Sequence, residues 1–428
     1  MSNTYKQGGA GSFGTLVKIA YRNIWRNMRR TILCITAVGI AVFFIIVMQS
    51  MMGGMNSGIE KVVRVFDTGH VSAASTDYEA EKEYMPVQYP VGNGGPFSEL
   101  EAEIKAIPGV RAVFPRINAY ATLQDSTKKH ALLWGLDVEA ETALNAFNLT
   151  TQGNGLLEGR YPAANANECA IGIGMAEKAG FKIGDRIPLK TVSAQFSDKM
   201  WSPEITGIFK FDYLKYDEDA ILVDFRRLQR LLVLGDATQQ IFVYAEKETQ
   251  SKAIAAQVQK ILNGHEGSDV VRDWRDNYFV VMMQQSMAIF IVIELIFLIV
   301  ASFLIINTVV MIIHERIKEI GMMGSLGMTR GEIVKVFFFE SVFLSIFGSL
   351  AGVLLGGIVT GVGSLFPLDF SAMSGGFKEY PISATLFLEF GPGILAMGFF
   401  FGVIIASVCT LFPSLKSAFV EPVEALRR

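Results

Sequence analysis

The residues of this chain that could do chemistry are few and far apart. His70, His130, His265 and His314 stand without metal-ligand spacing, and no Ser/His/Asp set or carboxylate pair forms a pattern that catalysis needs. A G-x-x-x-x-G-K-[ST] phosphate loop is absent; GFKIGDR, residues 180–186, is the nearest mixture and lacks its end. No catalytic residue, cofactor site or metal site is expected. Cys34 and Cys409 fall in apolar runs and Cys169 stands alone between them, so no disulfide framework is expected either. Three polar or soft features remain. They are the charged segment HERIKEIGMMGSLGMTRGEI at 314–333, Glu294 inside an apolar run, and two groups of methionines.

The charged segment carries the most information. Ile317 and Ile320 lie one helical turn apart, with Glu315, Arg316, Lys318 and Glu319 on the other faces, which predicts a short amphipathic helix. Gly321, Gly324 and Gly327 then allow close backbone approach or a turn. Thr329 and Glu332 have capping-box spacing, so a new helix is predicted to start there.

The elements that hold this segment are membrane spans. The chain has 428 residues, 51% of them hydrophobic and 18% charged, and its mean hydropathy is +0.36, too apolar for an ordinary soluble protein. Apolar runs at 31–52, 286–313, 336–365 and 391–412 each match a hydrocarbon core of ~30 Å. The first is expected to be an uncleaved anchor, because no convincing small-residue cleavage site follows it. Lys6, Lys18, Arg22, Arg26, Arg29 and Arg30 precede it without one acidic residue, which puts both termini in the cytoplasm by the positive-inside rule. The division is then an amphipathic N-terminal helix in 1–30, span 31–52, an external region 53–276, and a stalk and span 277–313. A cytoplasmic segment 314–335, span 336–365, external loop 366–390, span 391–412 and cytoplasmic tail 413–428 complete it.

The external region is predicted to be α+β. GHVSAASTDY is strand-like, SELEAEIKAIPGVRAVFPRINAYATL reads as a helix and then strands, giving a βαβ-like unit, and ITGIFKFDYLKYDEDAILVDF reads as two strands joined by a polar turn. TVSAQFSDKMWSPE, 191–204, is expected to be an exposed tip carrying Trp201. A net charge of −3 gives no reason to expect a nucleic-acid partner.

Within the spans, Gly348, Gly352 and Gly356 at spacing four form a small-x-x-x-small seam for helix packing, within the subunit or across a dimer. A carboxylate such as Glu294 costs about 2.5–3.5 kcal/mol in a span, so it must face protein, water or a polar headgroup. Met48, Met52 and Met55, and Met283 and Met287, suit ordinary packing, an apolar substrate surface or, as soft thioethers, Cu(I). Leu16, Ala20, Ile24 and Met28 form an apolar stripe with Arg22, Arg26, Arg29 and Arg30 largely elsewhere, a helix for the inner membrane surface or for a second contact with a partner.

NTVVMIIHERIKEIGMMGSLGMTRGEIVKVFFFES, 307–341, resembles the cytoplasmic signature of MacB/FtsX-like ABC transporter permeases, and FPSLKSAFVEPVEALRR resembles their C-terminal ending. The resemblance implies four transmembrane helices, with a large MacB-like periplasmic domain between the first and second. It implies a bacterial inner-membrane protein working as a homodimer or related heterodimer. It also implies a coupling helix that docks on a separate cytoplasmic ATPase carrying ATP and Mg, with Glu315, Arg316, Ile317, Glu319, Ile320, Gly321 and Gly327 in that role. A fused nucleotide domain is absent, which favours the lipoprotein-releasing (LolC/LolE-like) branch. Its cargo would be a lipoprotein passed to a periplasmic carrier, with lipid contact at Met48, Met52, Met55, Met283, Met287 and Glu294. Efflux of amphipathic drugs or peptides through an adaptor, and a scaffold that activates a cell-wall hydrolase, are the alternatives.

Overall fold

A computed structural model describes residues 13–26, 28–123, 130–144, 155–211, 213–315, 317–325, 328–369 and 385–417. The chain folds as two units. One comprises Met1–Gly54, Ser286–Leu368 and Phe387–Arg428, and the other Met55–Gln285 and Asp369–Leu386.

The first unit is helical. The Phe13–Arg26 helix is followed by Met28–Val63, Tyr278–Glu315, Arg330–Leu365 and Pro392–Ser417, and among the described residues four helices are long and apolar enough to span a membrane. Their ends differ from those read in the sequence. The Met28–Val63 helix continues eleven residues past 52, and its 36 residues reach about 54 Å. The third helix starts at Arg330, capped by Thr329 as the capping-box spacing predicts, six residues before the apolar run that begins at 336. Residues 418–428 of the expected tail lie outside the described residues.

Close backbone approach holds the first, third and fourth of these helices together. A Cβ added at Gly352 would lie 2.5 Å from the Gly39 carbonyl oxygen and 2.7 Å from Val42 Cβ, and one at Gly348 would lie 2.7 Å from Val38 Cβ. Gly356 faces Ile46 in the same way, so the seam lies against the chain's own first span. Gly398 and Gly402 of the fourth span face Ile46 and Val42 from another side. The Leu16, Ala20 and Ile24 stripe is buried against Val336 and Leu344 of the third span, while Met28 is exposed. Above the seam, Phe387–Glu389 lies on the first helix: Glu389 N–H donates to the Ser50 carbonyl at 3.0 Å and Ser50 Oγ to the Glu389 carbonyl at 2.5 Å.

The second unit carries β1 (Val71–Ser75), β2 (Val110–Leu123), β3 (His130–Leu136), β4 (Leu156–Gly159), β5 (Glu168–Gly172), β6 (Leu189–Val192), β7 (Asp198–Trp201), β8 (Glu204–Phe209), β9 (Ala220–Asp224), β10 (Gln240–Ala245) and β11 (Asp269–Asp273). The order is β11-β1-β10-β2-β3-β9-β5-β8-β4, with β6 on β2 and β7 on β6. The first four strands, antiparallel to their neighbours, are connected β1-helix-β2 and β10-helix-β11 by Phe97–Lys105 and Ser251–Leu262. That is a ferredoxin-like lobe. Leu100, Ile104, Ile254, Val258 and Leu262 of its helices bury against Val71, Val113, Ile241 and Val243. The βαβ-like unit is therefore a split one, with β10 between β1 and β2.

A second, strand-rich lobe is inserted between β2 and β10, and β2 belongs to both. Arg116 to Val110 pair with β10, whereas Ile117 to Thr122 pair with β3. β8 and β9 are not hairpin partners as expected from the sequence, because β5 lies between them. The segment read as a polar turn is the helix Leu214–Asp219, and Tyr213 and Tyr216 are spaced one turn apart and buried in the aromatic core around Phe66 and Trp134.

At the switch in β2, the fully buried Arg116 guanidinium donates to both Glu141 oxygens, at 2.7 and 2.8 Å, and lies over Phe242 and Trp134. Burial pushes the Glu141 carboxyl up to about 7, against the pull of Arg116. Glu141→Ala leaves a buried cation unpaired and is expected to cost about 3–5 kcal/mol, while Arg116→Met with Glu141→Leu costs much less. Thermal unfolding of the purified chain, followed by tryptophan fluorescence, measures the difference.

Candidate functional site

The charged segment folds as a short helix, Ile317–Ser325, between the second and third spans. Glu315 is the last residue of the second span's helix, and Glu319, Ile320 and Gly321 lie in the short one; Arg316 and Gly327 lie outside the described residues. Ile317 is half-buried, Gly321 is buried, and Lys318 and Met322 are exposed. Met323 and Met328 pack with Ile333 and Phe337, and Met328 N–H donates to the Met323 carbonyl at 3.1 Å, which turns the chain back toward the third span. There Thr329 Oγ1 accepts from the Glu332 N–H at 3.3 Å and Glu332 Oε2 accepts from the Thr329 N–H at 2.8 Å. This reciprocal pair satisfies two N–H groups that a helix start leaves open, and such a cap contributes ~1 kcal/mol.

In the spans, Gln49 Nε2 donates to Glu294 Oε2 at 2.7 Å, so the intramembrane carboxyl meets the first span. The Phe44 and Phe297 rings stack beside it, 6.1 Å between centroids. Met52 and Met283 are buried, Met48 and Met55 half-buried, and Met287 exposed. Among the described residues no group of three His, Cys, Asp or Glu could hold a metal ion.

A cluster that the sequence reading passed over sits where the second unit joins its two long helices. Trp274, just before the second of them, is buried between the Arg64 and Arg275 guanidinium groups, at 4.9 and 4.8 Å from its ring. Arg64, just past the end of the Met28–Val63 helix, also pairs with Glu248. Arg275 Nη1 donates to both Asp273 oxygens and to Ser251 Oγ, each at 3.1 Å. The C-terminal end of the Met28–Val63 helix, the start of the Ser251–Leu262 helix and the residues just before the Tyr278–Glu315 helix thus meet at one indole. Cation–π contacts of this kind contribute about 0.5–1 kcal/mol at exposed sites and more when desolvated. The signal in the sequence was DWRD directly before an apolar run.

His70 sits beside this cluster, its Nδ1 accepting the Ala245 N–H at 3.0 Å and its ring 5.4 Å from Tyr244. The expected exposed tip is the β6–β7 hairpin, but its exposed large apolar residues are Val192, Phe196 and Met200. Trp201 is buried in the lobe's core, bonded to Asn167 and covered by Arg227, because its position in β7 faces inward beside Leu189. Burial pushes the Cys169 thiol up, which leaves it an unreactive core residue.

Burial holds the His70 pKa below its ordinary value, Arg64 adding to the effect while Glu248 and Asp273 oppose it. A lowered folded-state value means that neutral His70 stabilises the fold above its unfolded pKa of about 6.5 and that this is lost as the pH falls through the folded value. Calorimetry across that range should show stability falling on acidification. His70→Asn, which keeps an acceptor near the Ala245 N–H, should show a flatter profile.

Residues 31–261 match the MacB-like periplasmic core domain, and residues 291–422 match the FtsX-like permease C-terminal domain. The lipoprotein-releasing system transmembrane protein LolC of Neisseria meningitidis serogroup B is 24% identical over 271 residues, which cover 60% of this chain and 64% of that protein. The macrolide export ATP-binding/permease protein MacB of Chlorobaculum tepidum is 33% identical over 123 residues, covering 29% of this chain and 16% of that protein. The chain thus spans less than two thirds of the length of either relative. The crystal structure of the periplasmic region of MacB from Actinobacillus actinomycetemcomitans aligns with 53% of this chain and 98% of its own, at a TM-score of 0.33 and 7% identity.

Proposed function

Because this chain belongs to the ABC transporter permeases that join a MacB-like periplasmic core domain to an FtsX-like C-terminal domain, we propose that it transmits the work of a separate ATPase across the membrane. The observation that carries this reading is the Ile317–Ser325 helix, a short amphipathic element on the connection between two spans. In the proposed topology both termini and this helix are cytoplasmic, in a bacterial inner membrane, and the second unit is outside. ATP and Mg belong to the partner, and the permease works as a pair, with a second copy or a related chain. Closure of the ATPase pushes the short helix, and the long helices Met28–Val63 and Tyr278–Glu315, each uninterrupted, carry the displacement to the Trp274 cluster. An apolar bundle suits this, since a lever needs no polar pore.

The cargo we favour is a lipid-anchored protein extracted from the outer leaflet and handed to a soluble carrier. Support comes from the similarity to LolC and from the polar contact between Gln49 and Glu294 inside otherwise apolar spans. The local similarity to MacB favours efflux of an amphipathic small molecule or peptide as the second reading.

Reconstitution with the ATPase and a loaded lipoprotein distinguishes the two. ATP-dependent transfer to a carrier is expected; ATPase stimulation by drugs, with no transfer, would favour efflux. Ile320→Asp is expected to lower ATPase binding at least tenfold, roughly the effect of 1.4 kcal/mol, and a permease that still binds and couples after this change would sink the docking role. Trp274→Ala is expected to leave ATPase binding intact and to cut transfer per ATP hydrolysed.

A further inference from the structure

One face of the Phe13–Arg26 helix is buried inside the protein. Leu16, Ala20 and Ile24 are buried on the third span, and Asn23 Nδ2 reaches Glu340 from the same side at 3.4 Å. On the opposite side Lys18, Arg22 and Arg26 follow one another at spacing four and are exposed, with Tyr21 and Trp25 on the adjacent ridge, 43% and 55% exposed and in edge contact with each other. The sequence has no acidic residue before Glu60.

The level of this face in the bilayer is fixed by what the helix packs on. Phe13 meets Phe339 and Tyr21 meets Phe343, at 5.3 and 5.6 Å, just after the third helix passes from Arg330, Glu332 and Lys335 into its apolar run. That is the depth of lipid headgroups, where Trp and Tyr rings settle and where each Lys or Arg gains about 1 kcal/mol from anionic lipid. A helix whose apolar stripe is already occupied cannot roll that stripe into the acyl chains. Its contact with lipid must be made by the cationic and aromatic side.

We propose that this face, Lys18, Arg22 and Arg26 beside Tyr21 and Trp25, is a binding surface for the headgroups of anionic phospholipids. Only the choice of leaflet rests on the topology proposed above. The cations take the phosphates and the charged headgroups, while the two rings seat at the level of the glycerol backbone.

Trp25 is its own reporter. The chain has four tryptophans, and the other three, Trp134, Trp201 and Trp274, are buried in the second unit. The full chain is reconstituted, without ATPase or cargo, into vesicles of phosphatidylcholine and phosphatidylglycerol in which one or the other carries brominated acyl chains, and quenching is compared at equal mole fraction. Wild type should be quenched more by brominated phosphatidylglycerol, the preference shrinking as salt is raised. The Lys18→Gln, Arg22→Gln, Arg26→Gln variant should lose roughly fivefold of that preference for each cation, and Lys18→Arg, Arg22→Lys, Arg26→Lys should keep it. Trp25→Phe should remove the quenching. Equal quenching by both lipids in wild type overturns the proposal. So does an unchanged preference in the glutamine variant, including the case in which that variant has lost ATPase binding, which would give the face to the ATPase instead. Neither result bears on ATP-driven transfer, which is read separately.

Discussion

Lipid offers a membrane helix almost no reason to prefer another helix, since acyl chains are as apolar as leucine. What remains is closeness, and this bundle depends on it. The Gly39 carbonyl and the Gly352 Cα side approach so nearly that no side-chain carbon fits between them, and Val38, Val42 and Ile46 fill the grooves on either side. The fourth span joins through its own glycines against the same valine and isoleucine. With three spans fixed in this way, the third can carry the N-terminal helix near its Arg330 end and the Phe387–Glu389 strap near its Leu365 end, where Leu388 N–H reaches the Gly363 carbonyl.

The second unit solves a different problem, joining two lobes without a flexible linker. Strand β2 does so by serving two sheets in succession, and the change of partner leaves polar groups inside. Arg116 Nη1 and Nη2 donate to Glu141, the Thr238 hydroxyl bonds the Arg116 backbone, and Asn118 N–H donates to Gln239 Oε1, whose amide in turn reaches Pro86.

Features set by neighbours in the chain were legible in the sequence. The capping box at Thr329 and Glu332, the short helix after His314 and the four apolar runs depend on spacing within a few residues, and so does the glycine seam as a seam. Its partner was not legible, because spacing four says that something comes close and not which helix it is. The β8 and β9 segments were visible as strands, but their separation by β5 is a long-range choice that periodicity does not carry. Trp201 was misread for a related reason. Its flanks are polar, and only pairing with Leu189 turns its face to the core. The Trp274 cluster draws on three separated segments, so its residues looked like ordinary surface charges. Of the charged segment, Arg316 and Gly327 lie outside the described residues.

Insertion of the strand-rich lobe between β2 and β10 also sets a schedule. β10 is the strand that β1 and β2 share, and more than a hundred residues separate it from the end of β2. During synthesis β1 and β2 are therefore made with unmatched edges, the condition in which strands pair with the wrong chain. Closing the first lobe is a contact of high sequence separation, and such contacts form slowly. The inserted lobe has its own apolar core and can condense first, bringing the far end of β2 and the start of β10 near each other before the ferredoxin-like sheet is complete. The second span begins about thirty residues after β10, so the chain gains its second anchor at nearly the moment its outer sheet can close.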